Sequence, residues 1–356
     1  MTAAPELTLR QVPLASIERA DWDRLLSMSA AATPFARWTF HRAWWDAYGD
    51  AAKEHYLVAT GAGDDGDVPR AIVPLMRREA ADPGVIYFGA SYHADYATIL
   101  GAPADMPVVA TALAATLLHS SEPDFDDDSW RALDLRRLRP IDPALAALEH
   151  ALRSENAPWR VTREIEDVCP VVTVPSSDWD EYLATLDKKH RHEIRRKLRR
   201  AAVIGEISVD VSAPTEDAID AFIDLHDARF GEEGLFPHTP DGERSRRFIH
   251  RLAELERAEP DGGQLHVGLV RCGERLVYAM LAFDDGLTCY LYNAGMDPAA
   301  AEASPGVTGT AAYFQDRMAA GRRRFDYLRG AESYKYQWGA VDEPIERLLV
   351  ERSAEA

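Results

Sequence analysis

Residues 304–309 combine hydroxyl-bearing, proline and glycine residues where a helix is expected to begin. Ser304 and Pro305 are typical of a helix start. An aromatic strand candidate at 290–293 precedes them, and helix-forming residues continue to Gly321. The first turn of a helix leaves backbone N–H groups unpaired and carries partial positive charge, which suits a phosphate. An ordinary helix start explains the same residues. The residues that would hold a phosphate here are Ser304, Gly306, Val307, Thr308 and Gly309.

A second candidate is Lys335, which lies among aromatic residues in the segment Tyr334-Lys335-Tyr336-Gln337-Trp338. An ammonium group in a partly apolar setting can stabilise negative charge that develops on an acyl carbonyl or a phosphate. Alternatively, the lysine stem packs on the rings while its head stays in water. Asp326, on the preceding strand candidate, could hold Lys335 or act as a base.

Residues 187–200 carry eight Lys and Arg residues against Asp187 and Glu193, about +6 in a chain of net charge -19. At 100° per residue the apolar residues fall on one side of a helix and the basic ones on the other. A solvated basic face explains this pattern as well as a phosphate-binding one does. Lys188, Arg191 and Arg195 are the candidates for phosphate contacts.

Composition limits the function classes. The chain has 356 residues, and this length favours two domains. The net charge of -19 and a pI near 5.0 argue against a DNA-binding protein or one that binds anionic membranes. Its three cysteines form no CxxC pair, so neither a disulfide framework nor a metal site is expected. With no apolar run of signal-peptide or membrane-spanning length, we expect a cytoplasmic protein without membrane insertion.

The elements that must position these candidates alternate between strand and helix, which predicts an α/β protein. In the first half, strands are expected at 7–12, 55–60, 70–76, 85–89 and 130–135, with helices at 16–28, 41–48, 107–119 and 143–153. In the second half, helices are expected at 179–202, 218–230, 245–258 and 305–321, with strands at 207–211, 265–270, 276–283, 287–292 and 325–328. The last strands and the helix between them form a β-α-β unit around Ser304.

The order of four motifs, YLYNAGMD, SPGVTGT, FDYLRG and YKYQWG, is similar to that of the BioF-like/CelD-like acyltransferases. These form a branch of the GNAT superfamily that is related to the Fem-type aminoacyltransferases. The likeness extends upstream to about Asp178 and covers roughly half of the chain. It implies two tandem GNAT-like domains, each a mixed β-sheet flanked by helices, at 1–165 and 166–356. Ala303 and Thr308 depart from the family's acetyl-CoA motif, Arg/Gln-x-x-Gly-x-Gly/Ala.

The resemblance also supports particular residues. A lysine motif lies at the reaction centre of Fem-type enzymes, which implies a catalytic Lys335. On that basis Lys335→Met should keep the fold and slow the reaction roughly 10²–10³-fold. Residues 222–230, followed by Gly231, resemble the LHxxRxxxxG segment, where Arg229 binds an anion or pairs with Asp224 or Asp227. Residues 92–96 resemble the DY motif, which suggests Asp95 as an acceptor anchor or base. The expected substrate-binding aromatic residues are Tyr92, Tyr96, Tyr334 and Trp338.

The implied activity is an N-acyltransferase without a tightly bound cofactor. It moves an acyl group, acetyl by expectation, from a CoA-type thioester to a small-molecule or peptide amine by direct attack in an inter-domain cleft. One alternative is a Fem-like transferase that uses aminoacyl-tRNA, which the basic helix would bind. Another is a non-catalytic scaffold or partner of an acidic acyl carrier protein. The sequence leaves these alternatives open.

Overall fold

The computed structural model describes residues 7–63, 66–78, 80–119, 130–153 and 157–352. The chain divides into two compact units, which are described separately below. Unit 1 consists of Met1–Asp167 and Pro344–Ala356, and unit 2 of Val168–Glu343. The last segment of the chain therefore groups with the first unit. The domain division predicted at residue 166 assigned these last residues to the second domain.

Unit 1 contains a four-stranded antiparallel sheet and a second, mixed sheet. The four-stranded sheet has the order β1-β3-β4-β7, and the mixed sheet the order β15-β8-β6-β5-β2, in which only β6 and β8 are parallel. The strands are β1 (Thr8–Val12), β2 (Lys53–Glu54), β3 (Tyr56–Gly63), β4 (Gly66–Val73), β5 (Leu75–Arg77), β6 (Val85–Phe88), β7 (Leu100–Gly101), β8 (Ala132–Leu138) and, from the end of the chain, β15 (Val341–Arg352). The helices are α1 (Arg19–Met28), α2 (Trp38–Tyr48), α3 (Met106–His119) and α4 (Pro143–Leu152).

Unit 2 is built on one mixed sheet with the order β10-β11-β12-β13-β14-β9. Only β13 and β14 are parallel; the other neighbours whose register is described are antiparallel. The strands are β9 (Trp159–Thr173), which enters from unit 1, β10 (Ile207–Ser212), β11 (Leu265–Cys272), β12 (Arg275–Asp284), β13 (Thr288–Met296) and β14 (Arg324–Asp326). The helices are α5 (Trp179–Thr185), α6 (Lys188–Ile204), α7 (Glu216–Phe230), α8 (Pro240–Arg257), α9 (Pro305–Ala319) and α10 (Ser333–Tyr336).

The predicted β-α-β unit is present as β13, α9 and β14. The core of unit 2 forms where α9 presents Ala311, Phe314 and Met318 to the apolar faces of β12 and β13. Phe314 stacks on Phe325 of β14 with ring centroids 4.0 Å apart. Burial of such rings supplies the main stabilisation of the unit. The predicted fold class, a mixed sheet flanked by helices in each half, is confirmed.

Several elements differ from the sequence prediction. The helix expected at 179–202 is two helices, because Asp187 caps a new start at α6: its carboxylate accepts a hydrogen bond from the His190 N–H at 3.0 Å. β14 ends at Asp326, since Leu328 adopts a left-handed conformation with φ of 57°. The strands β9 and β15 were not predicted. Within the described ranges, no helix combines the length and apolar character needed to cross a membrane.

Candidate functional site

The parallel strands β13 and β14 separate at their carboxyl ends. Their pairing runs from Thr288–Arg324 to Tyr290–Asp326, after which β13 continues to Met296 while the chain leaves β14. The register of β13 against β12 also shifts here: Leu281 pairs with Asn293 and Ala282 with Leu291. In open α/β sheets ligands bind beyond the carboxyl ends of parallel strands, at such a separation. This region is therefore the candidate site of unit 2.

Helix α9 begins beside this separation. Ser304 precedes it in a left-handed conformation with φ of 51°, and its carbonyl oxygen accepts hydrogen bonds from the N–H groups of Val307 and Thr308, each at 3.0 Å. Thr308 is fully buried, and its hydroxyl donates to the Ala303 carbonyl at 2.7 Å. Gly309 is buried against Tyr278. Of the residues proposed for phosphate binding, only Ser304, Gly306 and Val307 are partly exposed.

The two glycines of this helix should respond differently to alanine. A Cβ at Gly309 would lie 2.2 Å from Cγ of the Tyr278 ring, so Gly309→Ala should lower the free energy of unfolding by about 1–3 kcal/mol. A Cβ at Gly306 would meet only the flexible Met296 side chain, whose methyl would lie 3.0 Å away, and Gly306→Ala is the matched control. Urea denaturation measures both. Equal stability of the two variants would contradict a packing role for Gly309.

Lys335 is buried, with 2% of its surface exposed, and its ammonium binds the turn that follows β14. Its Nζ donates to the carbonyl oxygens of Leu328 at 3.1 Å, Arg329 at 2.8 Å and Gly330 at 2.9 Å, and lies 2.9 Å from a Glu332 carboxylate oxygen. Asp326 is also buried and accepts a hydrogen bond from the Leu328 N–H at 2.8 Å. Two of the three residues proposed as catalytic, Lys335 and Asp326, thus bind the backbone of the same turn. These contacts indicate that both side chains hold the turn in place.

Tyr327, in this turn, was not identified from the sequence. It is 6% exposed, and its hydroxyl has no hydrogen-bond partner among the described residues. Burial, followed by the neighbouring Tyr182, Tyr278 and Tyr334, raises the pKa of Tyr327 well above its usual value. The hydroxyl therefore stays protonated at neutral pH and can donate. Tyr334, about half exposed, stands edge-on to the Tyr327 ring at 6.0 Å and covers it.

Arg229, on α7, acts on Tyr278 and Tyr334. Its positive charge opposes the rise in pKa that burial causes at Tyr278 and Tyr334, so its field reaches both hydroxyls. The guanidinium is exposed and lies 4.3 Å from the centroid of the Phe230 ring. Asp227, one predicted partner, instead pairs with Arg246 at 2.6 Å. Within the described part of the chain Arg229 forms no ion pair, which leaves it available to an anionic group.

The basic helix is present, but its cations have different contacts. Nη1 of Arg191 donates to the carbonyl oxygens of Ala184 and Leu186 at 3.2 and 3.3 Å, and so satisfies the end of α5. Arg195 pairs with the exposed Asp180 at 2.6 Å. Such an exposed pair contributes little to stability. The ammonium of Lys188 is exposed and forms no ion pair among the described residues.

The other proposed contact residues differ in burial. Trp338 is buried in the core of unit 2, 5.4 Å from the Phe314 ring, so its indole fits a packing role. Asp95, Tyr92 and Tyr96 belong to unit 1. Tyr92 is 57% exposed beside the Arg78 guanidinium, whereas Tyr96 is buried against Phe35. Across the described ranges, no group of three or more His, Cys, Asp or Glu residues could hold a metal ion.

Comparison with known proteins identifies the domain that contains this site. Residues 188–336 match the family model for the acetyltransferase (GNAT) domain. No curated protein shows significant sequence similarity to the chain. The fold is similar to that of FemX, at 10% identity over 95% of this chain and 96% of that chain, with a TM-score of 0.62.

Two further solved structures share the fold. A tandem GNAT protein from the clavulanic acid biosynthesis pathway aligns at 10% identity over 99% of this chain and 100% of that chain, with a TM-score of 0.53. The C-terminal domain of a putative lysylphosphatidylglycerol synthetase from Agrobacterium fabrum aligns at 11% identity over 94% and 92%, with a TM-score of 0.52. The domain match confirms the predicted GNAT resemblance for residues 188–336, and the solved structures support the relation to Fem-type proteins at the level of the fold.

Proposed function

We propose that this chain, which carries a GNAT acetyltransferase domain at residues 188–336, is an N-acyltransferase that moves an acyl group from a phosphopantetheine thioester to an amine. The observation that carries the proposal is the separation of β13 from β14 beside the start of α9. Beyond Tyr290, β13 presents backbone groups to an extended, amide-bearing chain such as pantetheine, as a sheet edge does to an added strand. Acetyl is the simplest acyl group for this site.

The donor phosphates would lie at the start of α9, near the partly exposed Ser304, Gly306 and Val307. The amine nitrogen attacks the thioester carbonyl, a C–N bond forms and the C–S bond breaks. The amine loses a proton to a base, and the donor leaves as its thiolate. The hydroxyl of Tyr327 donates to the oxygen or sulfur on which negative charge develops, once Tyr334 has turned aside.

The acceptor is proposed to carry a negatively charged group next to its reactive amine. Arg229 supports this, because its exposed guanidinium has no carboxylate partner in the described part of the chain and its field reaches Tyr334. A guanidinium binds a carboxylate or phosphate through two parallel hydrogen bonds. Measuring the rate of acyl transfer to an amine and to its carboxylate-bearing analogue tests this preference directly.

The test is thiol release from acetyl-CoA in the presence of a panel of amines, together with thermal-shift titration. A donor that binds only the folded protein at one hundred times its Kd stabilises it by about 2.7 kcal/mol, which raises the melting temperature measurably. Neither a shift nor thiol release with CoA or carrier-bound thioesters would reject the thioester donor. Transfer from aminoacyl-tRNA instead would establish the Fem-like alternative, and carrier binding without transfer the scaffold alternative.

A further inference from the structure

The solvent-exposed face of α6 carries cations that form no ion pair within the described part of unit 2. Lys188, Lys189, Arg199 and Arg200 are exposed, and none of them forms an ion pair among the described residues. At 100° per residue these four side chains fall within about 120° of one another around the helix axis. They are called the α6 basic face below. Glu193, the one acidic residue of α6, forms ion pairs with Arg196 and Lys197.

The end of this face is apolar. Val203 is 88% exposed and Ile204 46% exposed, in the last turn of α6. The opposite side of the helix is fixed, since Ile194 and Ala201 pack in the core of unit 2. Four cations that form no ion pair within the described residues, two of them in the turn before these aliphatic side chains, suit a protein surface that combines carboxylates with an apolar contact.

The position of α6 connects this face to the candidate site. α6 packs against α9 and against residues Pro298–Ala303, which lead directly into the start of α9. Ala300 and Ala303 share a core with Ile194 and Ala201. A partner bound to the basic face would therefore be separated from the place proposed for the phosphate of a pantetheine donor by the width of α6, about 10–12 Å.

We propose that the α6 basic face docks an acidic acyl carrier protein, which delivers the acyl group on its phosphopantetheine arm; this inference rests on the proposed function. An acidic surface on the carrier would match this face in charge. α6 has 17 residues, which at 1.5 Å per residue is about 25 Å long.

Charge favours this partner over RNA. α6 holds eight Lys and Arg residues against one Glu and therefore carries a charge of +7. Because the whole chain has a net charge of -19, the rest of the chain has a net charge of -26. An RNA that extended past α6 would meet this acidic remainder, which repels a long polyanion. Val203 and Ile204 add nothing to the binding of phosphates, whereas a carrier surface can cover them.

The experiment compares one acyl chain on two donors, acyl-CoA and a purified acyl carrier protein. The variant Lys189→Glu/Arg199→Glu/Arg200→Glu reverses three cations of the face. A matched control, Arg10→Glu/Lys53→Glu/Arg160→Glu, makes the same change in net charge at exposed positions of unit 1. We expect the α6 variant to raise KM for the carrier-bound donor about tenfold or more, with KM for acyl-CoA changed less than about twofold. Added salt should raise the wild-type KM for the carrier alone.

Each other outcome overturns the proposal. If wild-type protein uses acyl-CoA but not the carrier, or if the α6 and control variants change KM equally, docking at α6 is wrong while the proposed acyltransferase function stands. If neither donor supports transfer, the proposed function fails and this inference fails with it. Binding of tRNA that the α6 variant abolishes, without carrier binding, assigns the face to RNA.

Discussion

Lys335→Met is expected to lower the free energy of unfolding by about 1–3 kcal/mol, the cost of leaving buried carbonyl oxygens without their donor. Methionine keeps the apolar stem but removes the ammonium that binds the carbonyl oxygens of Leu328, Arg329 and Gly330. Those carbonyls would then lack their present donor. Urea denaturation of the variant and the wild type measures the difference.

Lys189→Met is the matched control, because Lys189 is exposed and forms no ion pair among the described residues. Its unfolding free energy should stay within about 0.5 kcal/mol of the wild type. The sequence predicted instead that Lys335→Met keeps the fold and slows the reaction. Unchanged stability with a large loss of rate would support that catalytic role and contradict the structural one.

The β-α-β unit could be predicted from the sequence because its signals are local. Aromatic residues marked β13, Ser304 and Pro305 marked the start of α9, and Gly321 marked its end. The amphipathic pattern of the basic helix likewise predicted which side would be buried, and Ile194 and Ala201 are buried there. These patterns depend on residues within a few positions of one another.

The contacts of Lys335 could not be predicted in the same way. They depend on a turn in which Leu328 takes a left-handed conformation, which is uncommon for a residue with a branched side chain. The sequence favoured a strand through Leu328, which would have directed these carbonyls to a neighbouring strand. The aromatic neighbours of Lys335 therefore suggested a ligand site, whereas its ammonium binds the backbone.

Gly309 illustrates a second limit. Glycine at a helix start fits both close approach of a phosphate and close approach of another element, and the sequence does not distinguish them. The distance from its expected Cβ to Tyr278, on a strand about thirty positions earlier, favours the second. Tyr327 was missed for a related reason, because nothing local shows that a tyrosine hydroxyl will lack a partner.

Tyr327→Phe is expected to slow acyl transfer roughly 10²–10³-fold, the usual loss when one donor to a developing negative charge is removed. The same change should leave the free energy of unfolding unaltered or raise it by up to about 1 kcal/mol. This follows because the hydroxyl is buried and has no hydrogen-bond partner among the described residues, so its removal breaks no contact of the resting protein. Steady-state kinetics and urea denaturation give the two values.

Tyr182→Phe is the matched control and should give the opposite result. Its hydroxyl is also buried, but it donates to the Trp338 carbonyl at 2.8 Å. Its loss should lower the free energy of unfolding by about 1–2 kcal/mol and change the rate little. Full activity of Tyr327→Phe, or a loss of stability like that of Tyr182→Phe, would show that the Tyr327 hydroxyl serves the fold. Because the phenol stays protonated well above neutral pH, the wild-type rate should also show no loss from ionisation of Tyr327 up to pH 10.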